Sequence, residues 1–150
     1  MDVTVERLAA RHVDGVCRIE NACFSEPWSK DSLCALTNDE NAVFFVAVRD
    51  GEPVGYGGFY VAADVGAIAN IGVLPEFRRR GVGERLLNAL IEEAKAKKLV
   101  QLQLEVRASN GGAIALYRKA GFQKCGVRRR FYRKPVEDAE LWNLDLPCEV

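Results

Sequence analysis

Leu74-Pro75-Glu76-Phe77-Arg78-Arg79-Arg80-Gly81-Val82-Gly83 is the stretch from which the rest of the chain can be read. It closes an apolar run, Ala67 to Leu74, and opens an amphipathic one. Beyond it Val82, Leu86, Leu87, Leu90, Ile91 and Ala94 share one helical stripe, which predicts a helix from about Gly81 to Lys97. A helix start offers unpaired backbone N–H groups and a partial positive charge. Gly81 and Gly83 let a ligand approach that backbone with no Cβ in the way, and three arginines stand at the same point. Strand, glycine-containing basic loop and helix together make an anion site. Two nucleotide loops are excluded by spacing. No Lys-Ser or Lys-Thr follows the glycines, as a Walker loop requires, and Leu86 stands where a dinucleotide fingerprint needs its third glycine.

Working outward, Val100 to Val106 alternates as a strand, so a strand–helix–strand unit spans 67 to 106 and predicts a parallel pair with a right-handed crossover. Upstream, Val3 to Leu8 alternates, and His12 to Phe24 carries Val13, Val16, Cys17, Ile19, Glu20 and Cys23 at helical spacing. Pro27 breaks that helix and Ser29 caps a short second one, to about Asn38. Two strands, Ala42 to Arg49 and Pro53 to Ala63, flank an Asp50-Gly51 turn. Gly55, Gly57 and Gly58 inside the second strand mark a bulge or a close backbone approach. Downstream, Asn110 to Ala120 reads as a helix ended by Gly121. Strands at about Gln123 to Phe131 and Ala139 to Leu146 follow, joined by a loop around Pro135. The expected class is α/β: a mixed, mostly antiparallel sheet with one central parallel pair and helices on both faces, built as a single domain over 1–150.

Composition agrees with an ordinary globular chain: 150 residues, 49% hydrophobic and 28% charged, with 21 basic against 21 acidic side chains. Zero net charge gives no global attraction to nucleic acid or to an anionic membrane, so an anion site must come from local clustering. No apolar run approaches the ~20 residues of a spanning helix, and the N-terminal residues lack signal-peptide character. Five cysteines (Cys17, Cys23, Cys34, Cys125, Cys148), an odd count without C-x-x-C, fit reduced thiols in a cytoplasmic protein better than a disulfide framework. The single histidine, His12, has no neighbouring partners for a metal or a triad and is expected to be an exposed helical residue; no metal site is expected.

Arg78-Arg79-Arg80-Gly81-Val82-Gly83 fits [QR]-x-x-G-x-[GA] and resembles the pyrophosphate loop of the GNAT acetyltransferase superfamily. From Leu104 to Phe122 the chain reads L-E-V-R-x-S-N-x-x-A-x-x-L-Y-x-x-x-G-F, similar to the ribosomal-protein and protein N-terminal alanine acetyltransferases. With Cys23-Phe24, Pro27-Trp28-Ser29 and Pro135 to Ala139, the likeness extends over nearly the whole chain. The resemblance implies a GNAT fold and acetyl-coenzyme A as cosubstrate, held by Arg78, Arg79, Arg80, Gly81, Val82, Gly83 and Asn110. The strand Ile71, Gly72 and Val73 would carry its pantetheine arm. It further implies Glu105 as base and Tyr117 as acid, and the N-terminal amine of a protein, the alanine of ribosomal protein S18, as acceptor. An α-amine, with pKa ~7.8 against ~10.4 for lysine, is already about a tenth neutral at pH 7, so one carboxylate suffices as base. A phenol of pKa ~10 supplies a proton source for a departing thiolate of pKa ~8.5.

Other readings of the same residues stand beside these. Asn110 would cap its helix in any case, Glu105 could pair with Arg107, and Tyr117 could be core. Trp28 and Tyr132 are candidates to clamp a peptide, and the run Arg128-Arg129-Arg130 reads as a solvated hairpin rather than an RNA contact. Val65, Gly66 and Ala67 occupy the place where many relatives carry a second acid, which increases reliance on Glu105. A small-molecule amine as acceptor, a non-catalytic coenzyme A module and a protein-interaction domain are the competing functions. Intact Glu105 and Tyr117 weigh against the second, and the arginine-flanked glycines against the third.

Overall fold

The computed structural model describes residues 2–147, which leaves Cys148 outside the described residues. Its strands are β1 (Thr4–Arg7), β2 (Ala42–Arg49), β3 (Glu52–Ala62), β4 (Val65–Val73), β5 (Gln101–Arg107), β6 (Gln123–Arg133) and β7 (Val136–Asp145). Its helices are α1 (Val13–Cys23), α2 (Lys30–Leu36), α3 (Val82–Ala96) and α4 (Gly111–Lys119). The strands form one sheet in the order β1-β2-β3-β4-β5-β7-β6. Every pairing is antiparallel except β4 with β5, as the crossover through α3 requires.

Alternation along β2 and β3 supplies buried residues to both faces. On one face Phe59, Leu102 and Trp142 pack with Leu87 and Leu90 of α3 and Tyr117 of α4. On the other, Phe44, Val46 and Tyr56 pack with Val16 and Ile19 of α1 and Leu33 of α2. The glycines of β3 are there for want of room. A Cβ on Gly58 would lie 2.2 Å from the Phe44 ring, and one on Gly57 would lie 2.8 Å from the Ile71 side chain.

The sheet opens in its middle. The β4–β5 ladder holds only from Val65↔Gln101 to Ala67↔Gln103. Beyond it β4 continues on β3 to Val73, and β5 continues on β7 to Arg107. A bulge sits at the point of separation, where Gly58 pairs with Asn70 but Phe59 pairs with Ile68. The extra residue bends β4 away from its parallel neighbour. This gap positions the site.

Two expectations need correction. His12 is not exposed: a 3-10 turn, Ala10–His12, precedes α1 and turns the ring inward to 3% exposure. There Nδ1 accepts from the Ala9 N–H at 2.9 Å and Nε2 lies 3.4 Å from Glu6. The last hairpin has no broad loop, because β6 and β7 stay paired up to Arg133↔Val136, leaving only Lys134 and Pro135 to turn the chain.

Candidate active site

The loop between β4 and α3 sets Arg78 and Arg79 beside the first turn of α3. Arg79 and Gly81 take left-handed backbone, φ 62° and 80°, and Gly81 is the N-cap of α3. A glycine has no side chain to cap with, so the first N–H groups of α3, at Val82, Gly83 and Glu84, find no acceptor on the N-cap residue. All three residues line a cleft of about 700 Å3, together with Arg78, Arg79, Gly81, Ile71, Gly72, Val73 and Asn110. Arg78 is anchored by its Nε, which donates to Val73 O at 3.0 Å. Of the expected loop residues only Arg80 is absent from the lining. A Cβ on Gly81 would meet nothing within 4 Å, so its glycine answers the backbone conformation rather than crowding.

A second cleft of about 320 Å3 shares Ile71, Asn110, Ala113, Tyr117, Cys23 and Phe24 with the first. The two are therefore parts of one passage through the gap between β4 and β5. The second half is lined by Glu105, Asn70, Trp28, Glu26, Phe131 and Tyr132. Leu102, Leu104 and Val106 point into the α3–α4 core, so alternation puts Glu105 on the opposite face, exposed in the cleft.

Arg107 does not neutralise Glu105. Its guanidinium pairs with Glu137 at 3.2 Å, donates to Pro135 O and Lys134 O, and lies over the Tyr132 ring at 4.3 Å. Glu137 in turn accepts from the Ser109 N–H at 2.6 Å, and Ser109 and Arg107 hold its carboxyl below the ordinary carboxylate value. These contacts lock the β6–β7 hairpin onto the end of β5 and set Tyr132 beside Glu105. Burial, and then the charge of Glu105, push the Tyr132 phenol upward.

Tyr117 is both a core residue and a lining residue of the cleft. Its ring is core, packed against Phe122 with centroids 5.5 Å apart. Its hydroxyl makes no hydrogen bond among the described residues, yet no buried side-chain oxygen or nitrogen there lacks a partner. The hydroxyl therefore reaches the cleft, which Tyr117 lines on both sides of the gap. Burial pushes the phenol well above its ordinary value. Full proton transfer to a thiolate of pKa ~8.5 is uphill even from an ordinary phenol of pKa ~10, and burial makes it more so, whereas hydrogen-bond donation from the hydroxyl remains open at any working pH.

Asn110 caps α4, its side chain accepting from the Ala113 N–H at 3.2 Å, while it lines both halves of the passage. Trp28 lines the second half and packs its ring against Phe44 at 6.3 Å.

Sequence reasoning missed Glu20. It is fully buried on the sheet-facing side of α1, accepts from the Trp28 N–H at 2.7 Å, and accepts also from the Tyr56 hydroxyl and from Asn70 Nδ2 at 3.4 Å. The signal was present: an acid among the apolar members of an amphipathic stripe.

Residues 13–122 match the Acetyltransferase (GNAT) family. The chain is 33% identical over 129 residues, 86% of each protein, to the [ribosomal protein bS18]-alanine N-acetyltransferase of Escherichia coli. It is 32% identical over 149 residues, 95% of this chain and 92% of the relative, to the N-alpha-acetyltransferase RimI of Mycobacterium tuberculosis. Its structure resembles the crystal structure of the ribosomal-protein-S18-alanine N-acetyltransferase from Escherichia coli with a TM-score of 0.90 at 30% identity, covering 99% of this chain and 97% of that one.

Proposed function

The chain belongs to the GNAT acetyltransferase family and is an acetyl-coenzyme A-dependent N-acetyltransferase. From that premise we propose that its acceptor is the α-amine of a protein N-terminus, the N-terminal alanine of ribosomal protein S18 above all. The observation that carries this reading is the single passage across the sheet. It has an anion-binding helix start at one end, the exposed carboxylate of Glu105 at the other, and the Tyr117 hydroxyl between them. The relatives named for N-terminal and bS18-alanine acetylation support the target.

Acetyl-coenzyme A supplies a thioester, whose carbonyl carbon the free amine attacks. The N–H groups at the start of α3, with Arg78 and Arg79, hold the pyrophosphate, and Gly72 leaves the backbone of β4 open to the pantetheine arm. Asn110 lies where it can bond the cosubstrate while capping α4. Glu105 takes the proton of the α-ammonium, directly or through water, and passes it to solvent; with an α-amine pKa of ~7.8 the net loss of that proton at pH 7 costs only about 1 kcal/mol. Tyr117 donates a hydrogen bond to the sulfur as negative charge develops on it. Trp28 and Tyr132, both lining the second cleft, would contact the first residues of the acceptor chain. The proposed setting is cytoplasmic and the proposed unit a single domain over 1–150. No helix among the described residues is long and apolar enough to cross a membrane, and Cys17, Cys23, Cys34 and Cys125 are free thiols.

The test is thiol release from acetyl-coenzyme A with a peptide beginning Ala-Arg-Tyr-Phe, against the same peptide blocked at its N-terminus and against a panel of polyamines. Turnover confined to the free N-terminus supports the reading. Turnover confined to small amines keeps the fold and cosubstrate and removes the protein target.

A further inference from the structure

We propose that the side-chain oxygen of Asn70 accepts a hydrogen bond from the acceptor amine, and that Glu20, buried behind it, holds the Asn70 amide in the orientation that makes this possible. The proposal rests on the reading of the second cleft as the acceptor half of the site.

A carboxylate taken wholly out of water is expensive unless its oxygens are satisfied. Glu20 is at 0% exposure, and three donors converge on it. One oxygen accepts from Trp28 N–H at 2.7 Å; the other accepts from the Tyr56 hydroxyl and from Asn70 Nδ2 at 3.4 Å. Glu20 touches neither half of the passage, so it takes no direct part in the chemistry. Two of its three donors do line the passage: Trp28 and Asn70 stand in the half that contains Glu105. A buried acid that bonds two residues of that cleft without lining it positions them.

The consequence for Asn70 follows from its own chemistry. An amide has one donating end and one accepting end. With Nδ2 committed to Glu20, Oδ1 can only accept, and no donor among the described residues bonds it. Asn70 is half-buried and sits at the β3–β4 bulge, where β4 leaves β5. An amine in that cleft has more than one N–H. Glu105 takes one, and a neutral oxygen on the facing strand takes another. Two acceptors on two strands fix the direction of the nitrogen lone pair, which a single carboxylate cannot do.

Three variants test this: Asn70→Ala, Glu20→Gln and the pair together. The acceptor is whichever amine of the panel above the wild-type enzyme acetylates, so failure of the protein-target reading and failure of this proposal are read separately. Asn70→Ala is expected to lower kcat/KM for the amine about tenfold, the loss of one hydrogen bond, with the KM for acetyl-coenzyme A within twofold of wild type. Glu20→Gln sets an NH2 where an acceptor stood. The Asn70 amide then turns to offer its oxygen to the new donor and presents Nδ2 to the cleft, donor against donor. The same tenfold loss, again selective for the amine, is expected. The double variant should be no worse than Asn70→Ala alone, because both changes remove one contact. An unchanged amine kcat/KM in Asn70→Ala overturns the contact. Multiplying effects in the double variant, or a rise in the acetyl-coenzyme A KM that keeps pace, overturn the positioning role and leave Glu20 as part of the core. If Glu20→Gln does not fold, Asn70→Ala alone decides the contact.

Discussion

Replacing Tyr117 by phenylalanine separates its two roles. The ring is held in the core against Phe122, whereas the hydroxyl has no partner among the described residues and faces the passage. Tyr117→Phe keeps the packing and removes only that oxygen. The stability change should stay within about 0.5 kcal/mol, which in a chain of this size is a shift of about 1–2 °C in Tm. Tyr117→Ala removes the ring and should cost about 3–5 kcal/mol, about 10–15 °C. Turnover should respond in the opposite proportion. A preorganised donor aimed at developing negative charge is worth about 10²–10³ in kcat, or about 3–4 kcal/mol of barrier, so the phenylalanine variant should fold like wild type and turn over hundreds of times more slowly. The assay is single-turnover thiol release at saturating acetyl-coenzyme A, beside calorimetric melting of both variants. Wild-type turnover in Tyr117→Phe would refute the donor role. A fall in Tm comparable to that of Tyr117→Ala would show that the hydroxyl is structural and that the geometry has been misread.

Glu105→Gln should lower turnover of a free N-terminus about 10²-fold at pH 7, with acetyl-coenzyme A affinity by titration calorimetry unchanged. The deficit should narrow by pH 9, where the α-amine is already neutral; a deficit independent of pH would count against a base. Gly81→Ala meets no atom within 4 Å but forces a Cβ into left-handed backbone at φ 80°, so it should fold with a Tm about 3–6 °C lower, from about 1–2 kcal/mol of strain, and bind acetyl-coenzyme A more weakly. Tyr56 and Tyr117 are both pushed above the ordinary phenol value of 10.0, first by burial. The unfolded chain therefore ionises these phenols while the folded chain does not. Their contribution is complete below pH 10 and is lost above it, by about 1.4 kcal/mol per group at pH 11. Urea melts at pH 9 and pH 11 check this, and Tyr117→Phe should recover about half of the loss assigned to the pair.

What the sequence made legible is what local rules decide. The stripe Val82 to Ala94, the Asp50-Gly51 turn, the Ser29 cap and the β4–α3–β5 crossover each follow from neighbours in the chain, and each is present. The glycine-containing basic loop was legible for the same reason: a helix start and its free N–H groups are local facts. Long-range contacts were not legible. Nothing near His12 announces the 3-10 turn that buries it, and nothing near Arg107 says that it will pair with Glu137 and cover Tyr132, thus leaving Glu105 free of it. Glu20 illustrates the limit best. Its place in the apolar stripe of α1 was visible, but its partners come from β3, β4 and the segment after α1, and only the closed fold assembles them.

The opening between β4 and β5 explains why one sheet can serve a two-substrate transfer. A continuous parallel pair would spend the facing backbone groups of both strands on each other and would wall off the α1 face from the α3 face. Three paired rungs suffice to join the halves of the sheet, and the bulge at Gly58 then parts them. Beyond the bulge β4 is an edge strand inside a sheet, with backbone groups left over for a ligand that carries amides of its own. The same opening is lined by Glu105 from one face of β5 and by Tyr117 from the α4 side. The bulge lies beside Asn70, opposite Gly58, where a Cβ would strike the Phe44 ring. The irregularity that marks the parting of β4 from β5 thus adjoins Asn70, which lines the second cleft.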